Sequence, residues 1–588
     1  LILGKAGGNP FFVEELTHSL KENGLIQIKD QQNVLNEKVS DILLPDTIQG
    51  IIAARIDRTE EKLKQIMQVA SVVGREFAFR ILKSIMGMSE ELKSRLLELQ
   101  GLEFITEKRL FPELEYIFKH ALTQEVAYNS LLKKHRKEIH EKIGAAIKFL
   151  YSDRLEEYYE LLAYHYGHSD NSEMALEYLE RANQKSIEMN AMQEAIAFFE
   201  DAMKILDTMP DTEENRQRRI SLLSSQFFVF RLLNRAPEFY GILLNFEPMA
   251  IGLKNKGVLG AFIGTLGYCE YSFGDYDKAI NSLTKGIQLC KKAGNIEVAM
   301  AAYVALETVY NFIGSYDQVF KLKKEILHLL KQRFNPRLYV QALIIAADAY
   351  IYLGRWQEAL KECQKALDIA QEYSNDSLIS FSTAVFSMIH RIRGDQIQAL
   401  KFSKLAVEKA PTPFDKMVSK TALGAAYCNA GEPMKGIDLL EKLLPIYHSA
   451  KFIPMEVSTN IVIGQGYWFA GSYDKARQAL DQGLALAKRY DMRFCIGWAH
   501  QLIGEIELMN NVSEAAAHFE KSNHILQEIK AESILPLSYA GYGRYHKKRG
   551  NTELAREYLT KALEILERLD TLIGPEKIRK ELAELPKA

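Results

Sequence analysis

The sequence predicts an all-α dominated protein in which a long array of helix pairs follows a smaller domain with a short β element. Three observations predict this architecture. A glycine-centred pattern recurs about every 40 residues along the C-terminal two-thirds of the chain, and a column of small residues recurs in step with it. The first 150 residues lack the repeat and end in two short stretches of strand character. A period of this length indicates a stack of repeated helical units.

The repeated pattern is a glycine followed five residues later by a small or short apolar residue. Successive members are 40, 40, 40, 37, 40, 40 and 39 residues apart. They are Gly274/Ala279, Gly314/Val319, Gly354/Ala359, Gly394/Ala399, Gly431/Gly436, Gly471/Ala476, Asn511/Ala516 and Gly550/Ala555. Seven residues before the turn most units carry a second small residue, which Glu307 replaces in one unit; the small residues are Gly267, Ala347, Ser387, Gly424, Gly464, Gly504 and Gly543.

Each member of the pattern is expected to end one helix, which we call helix A, and to precede a second, helix B. Glycine adopts the left-handed conformation that ends a helix without the steric penalty of other residues. The small residues lie where the two helices cross, and a larger side chain there costs about 1–3 kcal/mol. Aromatic residues begin helix B in four units, at Tyr276, Tyr316, Trp356 and Tyr473.

Segments such as YCEYSFGDYDKAINSLTKGI, AYIYLGRWQEALKECQKAL and GYWFAGSYDKARQALDQGL resemble tetratricopeptide (TPR) repeats. The period near 40 instead of 34 indicates that each helix is lengthened. The resemblance implies a superhelix with a concave inner surface that holds a protein or peptide partner. We place this array at 155–585, with the clearest units at 261–585.

The resemblance also directs one column of helix A toward the concave groove. This column lies four residues past the small position. Aromatic and arginine side chains dominate binding hot spots, so we predict partner contacts for Tyr271, Arg391, Trp468 and Lys547. A shift of the register by one residue would place these side chains in the core instead.

The residues before the array predict a hairpin within 24–35 and then a helical domain. Helices are expected at 45–58, 60–72, 75–86 and 89–102, and two short strands follow around Pro112. Three helices followed by a two-stranded wing are typical of a winged helix, which we place at 41–150. Its candidate recognition helix contains Glu90, Glu91 and Glu98 beside Lys93 and Arg95, so it presents no phosphate-seeking face. We therefore expect a packing module and not a DNA-binding domain.

Motifs in the first 150 residues resemble the C-terminal part of bacterial STAND-type signal-transduction ATPases, which are often fused to class III adenylate or guanylate cyclase domains. These motifs are GKAGGNPFFVEELTHSLKENGLI, LPDTIQGIIAARIDRTEEKLKQIMQVASVVGREFAFRIL and EYIFKHALTQEVAYNSLL. The resemblance implies that 1–40 is the end of the ATPase lid region. It also implies ATP or ADP with Mg²⁺ in a full-length protein that contains the upstream core.

Family-specific roles can be carried over to two motifs. Gly8 and Pro10 match the GxP motif, whose proline packs against the adenine of the nucleotide. His120 lies where the family places a histidine that contacts the ADP phosphate, although Ala121 stands at the aspartate position of that motif. Pro10 could equally be an ordinary first-turn helix proline, and His120 a capping or core histidine.

The sequence offers no catalytic chemistry on this chain. It contains neither a GxxxxGK[ST] phosphate-binding loop nor a cyclase motif, so we expect no enzyme activity and no cofactor on this chain alone. His165 and His168 lack a third ligand, so we expect no metal site. The five cysteines form no CxxC pair and are expected to be small buried residues of a reducing compartment.

Composition gives further expectations about partners and location. The formal net charge is −2, which gives no electrostatic reason to expect nucleic acid or a membrane as partner. No apolar stretch is long enough to span a membrane, and no signal peptide opens the chain, so we expect a cytoplasmic protein. The chain begins at Leu1 without a methionine, and we expect it to be a fragment.

Three functions follow from these observations. The leading hypothesis is the sensor half of a cytoplasmic signalling ATPase, in which the array binds a protein or small-ligand signal and the winged helix couples binding to nucleotide state. Its partners would then include an intramolecular ATPase core. The alternatives are a free-standing TPR scaffold and the C-terminal regulatory part of a nucleotide cyclase whose catalytic domains lie upstream.

Overall fold

The computed structural model describes residues 7–22, 26–29, 32–35, 47–87, 90–110, 112–331, 334–510 and 512–586. The chain forms two compact units, Leu1–Met209 and Pro210–Ala588. Helices dominate both units, which confirms the predicted fold class at this level. Within the described residues, no helix has the length and apolar character needed to cross a bilayer.

The first unit contains a hairpin, a small sheet and ten α-helices within its described residues. Its elements are α1 (Pro10–Glu22), β1 (Ile26–Lys29), β2 (Gln32–Leu35), α2 (Ile48–Arg58), α3 (Glu61–Val73), β3 (Glu76–Ala78), α4 (Phe79–Met86), α5 (Glu90–Gly101), β4 (Ile105–Arg109), β5 (Glu115–Phe118), α6 (Ala121–Asn129), α7 (Lys133–Leu150), α8 (Tyr159–Gly167), α9 (Ser172–Glu188) and α10 (Met192–Thr208). Helices α8–α10, which the sequence assigns to the array, belong to this unit.

The predicted hairpin and the two predicted strands are present. Strands β1 and β2 pair antiparallel, and the second sheet is antiparallel with the order β3-β5-β4. The prediction of one helix over 75–86 is wrong at its start, because Glu76–Ala78 form strand β3. Phe77 lies opposite Tyr116 of β5 and both side chains are buried, so a long-range pairing overrides the local helical pattern.

The second unit is built from consecutive helices. Its elements are α11 (Glu213–Ser224), α12 (Phe227–Leu232), α13 (Ala236–Ile251), α14 (Lys256–Ser272), α15 (Tyr276–Lys292), α16 (Met300–Phe312), α17 (Tyr316–Leu329), α18 (Pro336–Tyr352), α19 (Trp356–Glu372), α20 (Asp376–Arg393), α21 (Gln396–Lys409), α22 (Pro413–Asn429), α23 (Pro433–Glu441), α24 (Leu444–Ser449), α25 (Ile453–Phe469), α26 (Tyr473–Arg489), α27 (Arg493–Asn510), α28 (Val512–Glu528), α29 (Leu535–Lys548), α30 (Thr552–Arg568) and α31 (Pro575–Ala583).

Every predicted turn glycine of the array has a positive φ, between 73° and 107°. Each one separates a helix A from a helix B, as the sequence predicts. The Asn511 turn lies outside the described residues. Side-chain caps start many of the helices: Thr412 begins α22 with a capping box that includes Asp415, and Asp275 caps α15.

The small-residue column lies at the crossing of helices A and B. A Cβ atom added to Gly267 would lie 2.8 Å from Leu283, and one added to Gly464 would lie 2.5 Å from Leu480. Real Cβ atoms do not approach other carbons so closely, so the column sets the distance between the paired helices.

Glu307 stands at this crossing in the unit formed by α16 and α17. Its side chain is fully buried and neither carboxylate oxygen has a hydrogen-bond partner among the described residues. Lys323, on the facing helix, bonds to Glu362 at 2.8 Å and not to Glu307. Burial raises the pKa of Glu307 well above its ordinary value, with Lys323 opposing the shift and Glu362 adding to it.

We expect Glu307→Gln to stabilise the protein at pH 8 and to have little effect at pH 5. Burial raises the folded-state pKa of Glu307 above its value of about 4.3 in the unfolded chain, so the unfolded state releases its proton first and stability falls as pH rises from that value. An amide removes this loss, and the gain at pH 8 should be roughly 1–3 kcal/mol. Urea unfolding at both pH values measures it, with exposed Glu372→Gln as the control. A gain independent of pH would contradict the prediction.

The array coils so tightly that repeats five apart contact each other. A Cβ atom on Gly274 would lie 2.5 Å from the ring of Tyr490, and one on Gly354 would lie 2.6 Å from Leu569. The backbone N–H and the hydroxyl of Ser533 both donate to the Tyr352 carbonyl, at 3.2 and 2.9 Å. These contacts close one superhelical turn onto the next.

Gly314→Ala is expected to destabilise the protein by roughly 1–3 kcal/mol more than Gly471→Ala. Both glycines have φ near 75°, so alanine pays a similar left-handed penalty at each position. Only at Gly314 would the new methyl group meet the next superhelical turn, 2.9 Å from Ile529; nothing lies within 4 Å at Gly471. Denaturant midpoints measure both variants, and Ile529→Ala should reduce the Gly314→Ala penalty. Equal penalties would show that the contact is unimportant.

Candidate ligand-binding site

A cavity of about 320 Å³ lies inside the superhelical turn of the second unit. Helices α16, α18, α20 and α22 line it with equivalent positions of successive repeats. On α18 these positions are Gln341, Ile344, Ile345, Asp348 and Tyr352. Their spacing is that of a single face of an α-helix, so the inner face of each helix A forms part of the wall. The contacts between repeats five apart complete the enclosure.

Five polar atoms of the lining have no hydrogen-bond partner among the described residues. A buried polar atom without a partner costs about 1–3 kcal/mol, so such atoms are rare unless a ligand or water completes them. Four are acceptor oxygens and one is a donor nitrogen. They are Asn311 Oδ1, Gln341 Oε1, Asp348 Oδ1, Gln465 Oε1 and Arg231 Nη1.

Three charged groups of the lining, those of Arg231, Asp348 and Arg391, lack an oppositely charged partner within the part of the chain that the structure describes. Asp348 lies on α18 and Arg391 on α20. Burial raises the pKa of Asp348 to about 7 and lowers the pKa of Arg391 to about 10. An ion pair would oppose both shifts, so these directions agree with the absence of one.

Aromatic rings supply much of the remaining wall. The guanidinium of Arg231 lies over Phe414 at 4.8 Å and over Phe452 at 5.2 Å. The ring of Tyr352 packs against Phe494 at a centroid distance of 4.1 Å. Flat apolar walls with a few placed polar groups are the usual composition of a ligand pocket.

Only two of the four predicted groove residues line the cavity. Tyr271 and Arg391 line the cavity, whereas Trp468 and Lys547 do not. Lys547 pairs with Glu584 at 2.7 Å, and the ring of Trp468 lies against Phe469. The next position along helix A lines the cavity more regularly, at Phe312, Tyr352, Ile392 and Asn429. In the repeats of Trp468 and Lys547 neither column reaches the cavity, because earlier residues of helix A, such as Gln465 and Leu537, line it there.

The lining residues that the sequence analysis missed lie earlier in helix A. Gln341, Asp348 and Gln465 are polar residues in helices with many apolar residues. A polar residue on the face opposite the A–B crossing could have indicated this wall. The shape of the cavity depends on contacts between distant repeats, which no single repeat specifies.

In the first unit, the GxP motif and His120 are close to each other. Asn9 caps α1 by accepting from the backbone N–H groups of Phe11 and Phe12, and Pro10 is the first helical residue. Gly8 has a φ of 84°. The ring of His120 lies 3.9 Å from that of Phe11, and burial lowers the pKa of His120. Residues more than a hundred positions apart therefore meet at the start of α1.

Ion pairs attach α1 to the rest of the first unit. Arg55 on α2 bonds to Glu15 at 2.8 Å, with both side chains almost fully buried. Lys119 bonds to Glu14 at 2.7 Å and to Glu103 at 2.5 Å. The hydrogen bond from Lys119 lowers the pKa of Glu14. The acidic residues Glu14 and Glu15 of α1 thus pair with basic residues of elements later in the chain.

The groups with metal-ligand chemistry are already engaged with protein partners. Glu14, His18 and Glu103 are close enough to hold an ion, but Lys119 occupies both carboxylates. His165 is fully buried and its Nδ1 lies 2.9 Å from Nδ1 of His140. His168 Nδ1 instead contacts the Tyr164 carbonyl at 2.8 Å.

The cysteines are small core residues. All five are free and buried, as predicted. Burial raises the pKa of Cys290 to about 11 and the pKa values of Cys428 and Cys495 to about 12. A thiol that remains protonated at neutral pH is a weak nucleophile.

Comparison with known proteins identifies a repeat. Residues 537–565, within α29 and α30, match the model of the tetratricopeptide repeat. An uncharacterized protein of Rhizobium meliloti (strain 1021) is 23% identical over 226 residues, which are 37% of this chain and 21% of that protein. The match thus spans about a fifth of the relative's length.

Several solved structures are similar to this chain at low sequence identity. NprR in complex with its cognate peptide NprX is 12% identical, with a TM-score of 0.44 over 60% of this chain and 99% of that chain. A Rap protein complexed with competence and sporulation factor is 13% identical, with a TM-score of 0.39 over 68% and 99%. A STAND protein with a tetratricopeptide repeat sensor from Pyrococcus horikoshii is 13% identical, with a TM-score of 0.28 over 99% and 70%.

Proposed function

We propose that this chain is the sensor part of a signal-transduction ATPase and that its repeat array binds a peptide inside the superhelical cavity. The observation that carries the proposal is the set of five unpartnered polar atoms in an enclosed, aromatic-lined cavity. Leaving them unpaired would cost several kcal/mol in total, at about 1–3 kcal/mol each. A bound ligand with matching groups recovers this free energy.

The balance of donors and acceptors favours a peptide. Four of the five atoms are acceptors, and a peptide backbone offers one N–H donor per residue. Its carbonyl oxygens can accept from Arg231, whose Nη1 has no partner among the described residues. The apolar walls can hold side chains between these polar anchors.

The first unit supports the idea of a relay module. From α3 to β5 its elements follow the order helix, strand, helix, helix and two strands, which is the order of a winged helix. The charges of α5 are engaged within the unit: Arg95 bonds to Glu60 at 2.6 Å and to Glu98 at 3.1 Å, and Glu91 to Lys62 at 2.8 Å. We therefore propose a role in protein packing and not in binding nucleic acid.

The link to nucleotide is the second part of the proposal. The contact between Phe11 and His120 supports a common role for the GxP motif and the histidine that the family resemblance predicts. In a full-length protein with an ATPase core, Gly8, Pro10 and His120 would respond to ATP or ADP with Mg²⁺. A cyclase domain as the output, and a free-standing scaffold without nucleotide, are the alternative proposals.

Peptide binding can be tested on the full 588-residue chain. We expect affinity selection from a random library of short peptides to enrich ligands, and Ala425→Trp to abolish enrichment, since Ala425 lines the cavity. Exposed Ala293→Trp is the matched control, and thermal unfolding checks the folding of both variants. Enrichment that survives Ala425→Trp would exclude the cavity as the binding site.

The nucleotide link requires a longer protein that includes the proposed core. Pro10→Ala and His120→Ala should then weaken ADP binding, as measured by isothermal titration. Unchanged ADP affinity in both variants would reject their role in sensing. Absence of nucleotide binding by the longer protein would favour the free-standing scaffold.

A further inference from the structure

Asp348 and Arg391 differ from the amide residues of the cavity because each has an ionisable group that no described charge neutralises. Asp348 forms no ion pair within the described residues, and its Oδ1 atom has no hydrogen-bond partner there. Arg391 likewise forms no ion pair with the described carboxylates. An unpaired charge in such surroundings is far more costly than an unpaired neutral group.

Arg231 is a useful contrast. Its guanidinium lies within 6 Å of five aromatic rings, so their faces stabilise its charge. None of the described rings lies under Arg391 in this way. Among the residues that line the cavity, Arg391 is therefore the guanidinium that lacks an anionic partner or an aromatic face, and Asp348 is the carboxyl group that lacks a cationic partner.

The repeat geometry sets the distance between the two charges. Asp348 lies six residues before the turn glycine Gly354, and Arg391 lies three residues before Gly394. They are thus about one helical turn apart along the axis, on the inner helices α18 and α20 of neighbouring repeats. Neighbouring helices lie about 8–10 Å apart, so the backbone positions that carry the two side chains are separated by about 10 Å.

We infer that the cavity selects a short peptide of about three residues with free ends, its ammonium group at Asp348 and its carboxylate at Arg391. An extended chain advances about 3.3–3.6 Å per residue, so three residues span the distance. The cavity volume of about 320 Å³ is at the lower end of ligand pockets, which agrees with a ligand of this size. This inference rests on the proposed function of the array.

Tyr352 holds the geometry between the charges. It lies one helical turn after Asp348 on α18, and it is near enough to both Asp348 and Arg391 for each to affect its pKa. Its ring packs against Phe494 and its carbonyl accepts from Ser533 of a distant repeat. The wall between the two charges is thus fixed by the contact that closes the superhelix.

The test uses the full chain and random tripeptides in four forms: free, N-acetylated, C-amidated and blocked at both ends. Affinity selection with mass spectrometry identifies ligands, and titration calorimetry measures them. We expect N-acetylation and Asp348→Asn each to weaken binding at least tenfold, and C-amidation and Arg391→Gln to do the same. Exposed Asp368→Asn and Arg355→Gln are matched controls that should leave affinity unchanged.

A thermodynamic cycle that combines a change in the peptide with a change in the protein shows whether each peptide end contacts the proposed residue. An N-acetylated peptide should lose no further affinity on Asp348→Asn, and a C-amidated peptide none on Arg391→Gln. Blocked and free peptides that bind equally would overturn the inference and leave the proposed peptide binding intact. Losses that are additive, without coupling to these residues, would also overturn it. If neither tripeptides nor other short peptides bind, the proposed function itself fails.

Discussion

Arg55→Ala is expected to cost about 3–5 kcal/mol in the attachment of α1 to the first unit, which would make it one of the most damaging single substitutions in that unit. Arg55 and Glu15 are 1% and 5% exposed and their side chains bond at 2.8 Å. Arg55 also donates to the Leu102 carbonyl at 3.0 Å and lies over the ring of Phe104. Removing the arginine leaves the Glu15 carboxylate buried without another ion-pair partner among the described residues.

Hydrogen exchange along residues 10–22 measures this effect directly. A loss of this size corresponds to two or more orders of magnitude in protection, because about 1.4 kcal/mol is a factor of ten. Lys62→Ala is the matched control: its ion pair with Glu91 is about half exposed on both sides and should be worth less than about 1 kcal/mol. Arg55→Met with Glu15→Leu should recover much of the loss, since an apolar pair avoids the buried charge. Equal protection in Arg55→Ala and Lys62→Ala would contradict this account of the contact.

Gly436→Ala is expected to destabilise the second unit by roughly 2–3 kcal/mol, although alanine is the better helix former. Gly436 lies in α23, where a Cβ atom would meet the backbone oxygen of Gly424 and the sulfur of Cys428, at 2.5 Å for the sulfur. Backbone atoms cannot rotate away, so α22 and α23 must separate. The higher helix propensity of alanine stabilises by only about 0.5–1 kcal/mol, so the steric clash is larger and the substitution is expected to be destabilising.

Gly241→Ala is the same chemical change, but it is expected to stabilise the second unit. Gly241 lies within α13, and nothing is within 4 Å of its added Cβ atom, so alanine should stabilise by about 0.5–1 kcal/mol. Urea unfolding followed by tryptophan fluorescence reports on both variants, because Trp356, Trp468 and Trp498 all belong to the second unit. Stabilisation by Gly436→Ala would show that the helices can part at little cost.

The sequence predicted those features that each repeat specifies by itself. The turn glycines and the small crossing residues impose local requirements on φ and on helix spacing, and the structure meets both. Glu307, the exception in the column of small residues, is a fully buried carboxyl group at the same helix crossing. Such local features can be predicted from the sequence because nearly every repeat contains them.

Features that depend on distant parts of the chain could not be predicted from the pattern. The strand at Glu76–Ala78 depends on a partner in β5, and the cavity depends on repeats five units apart. The groove column was chosen from the resemblance alone, and it included Trp468 and Lys547, whose repeats line the cavity with earlier residues of helix A. Asp348 carries no motif, and only its place in the closed turn gives it significance.

The contacts between successive superhelical turns change how the second unit should unfold. An open solenoid has only nearest-neighbour interfaces, so it can fray from its ends one repeat at a time. Here Arg393 bonds to Asp570, 177 residues away, and Tyr352 to Ser533, 181 residues away. Losing a terminal repeat therefore also weakens a repeat in the middle of the array. The array should melt as a cooperative block, and its slow step should be the closure of these long loops during folding.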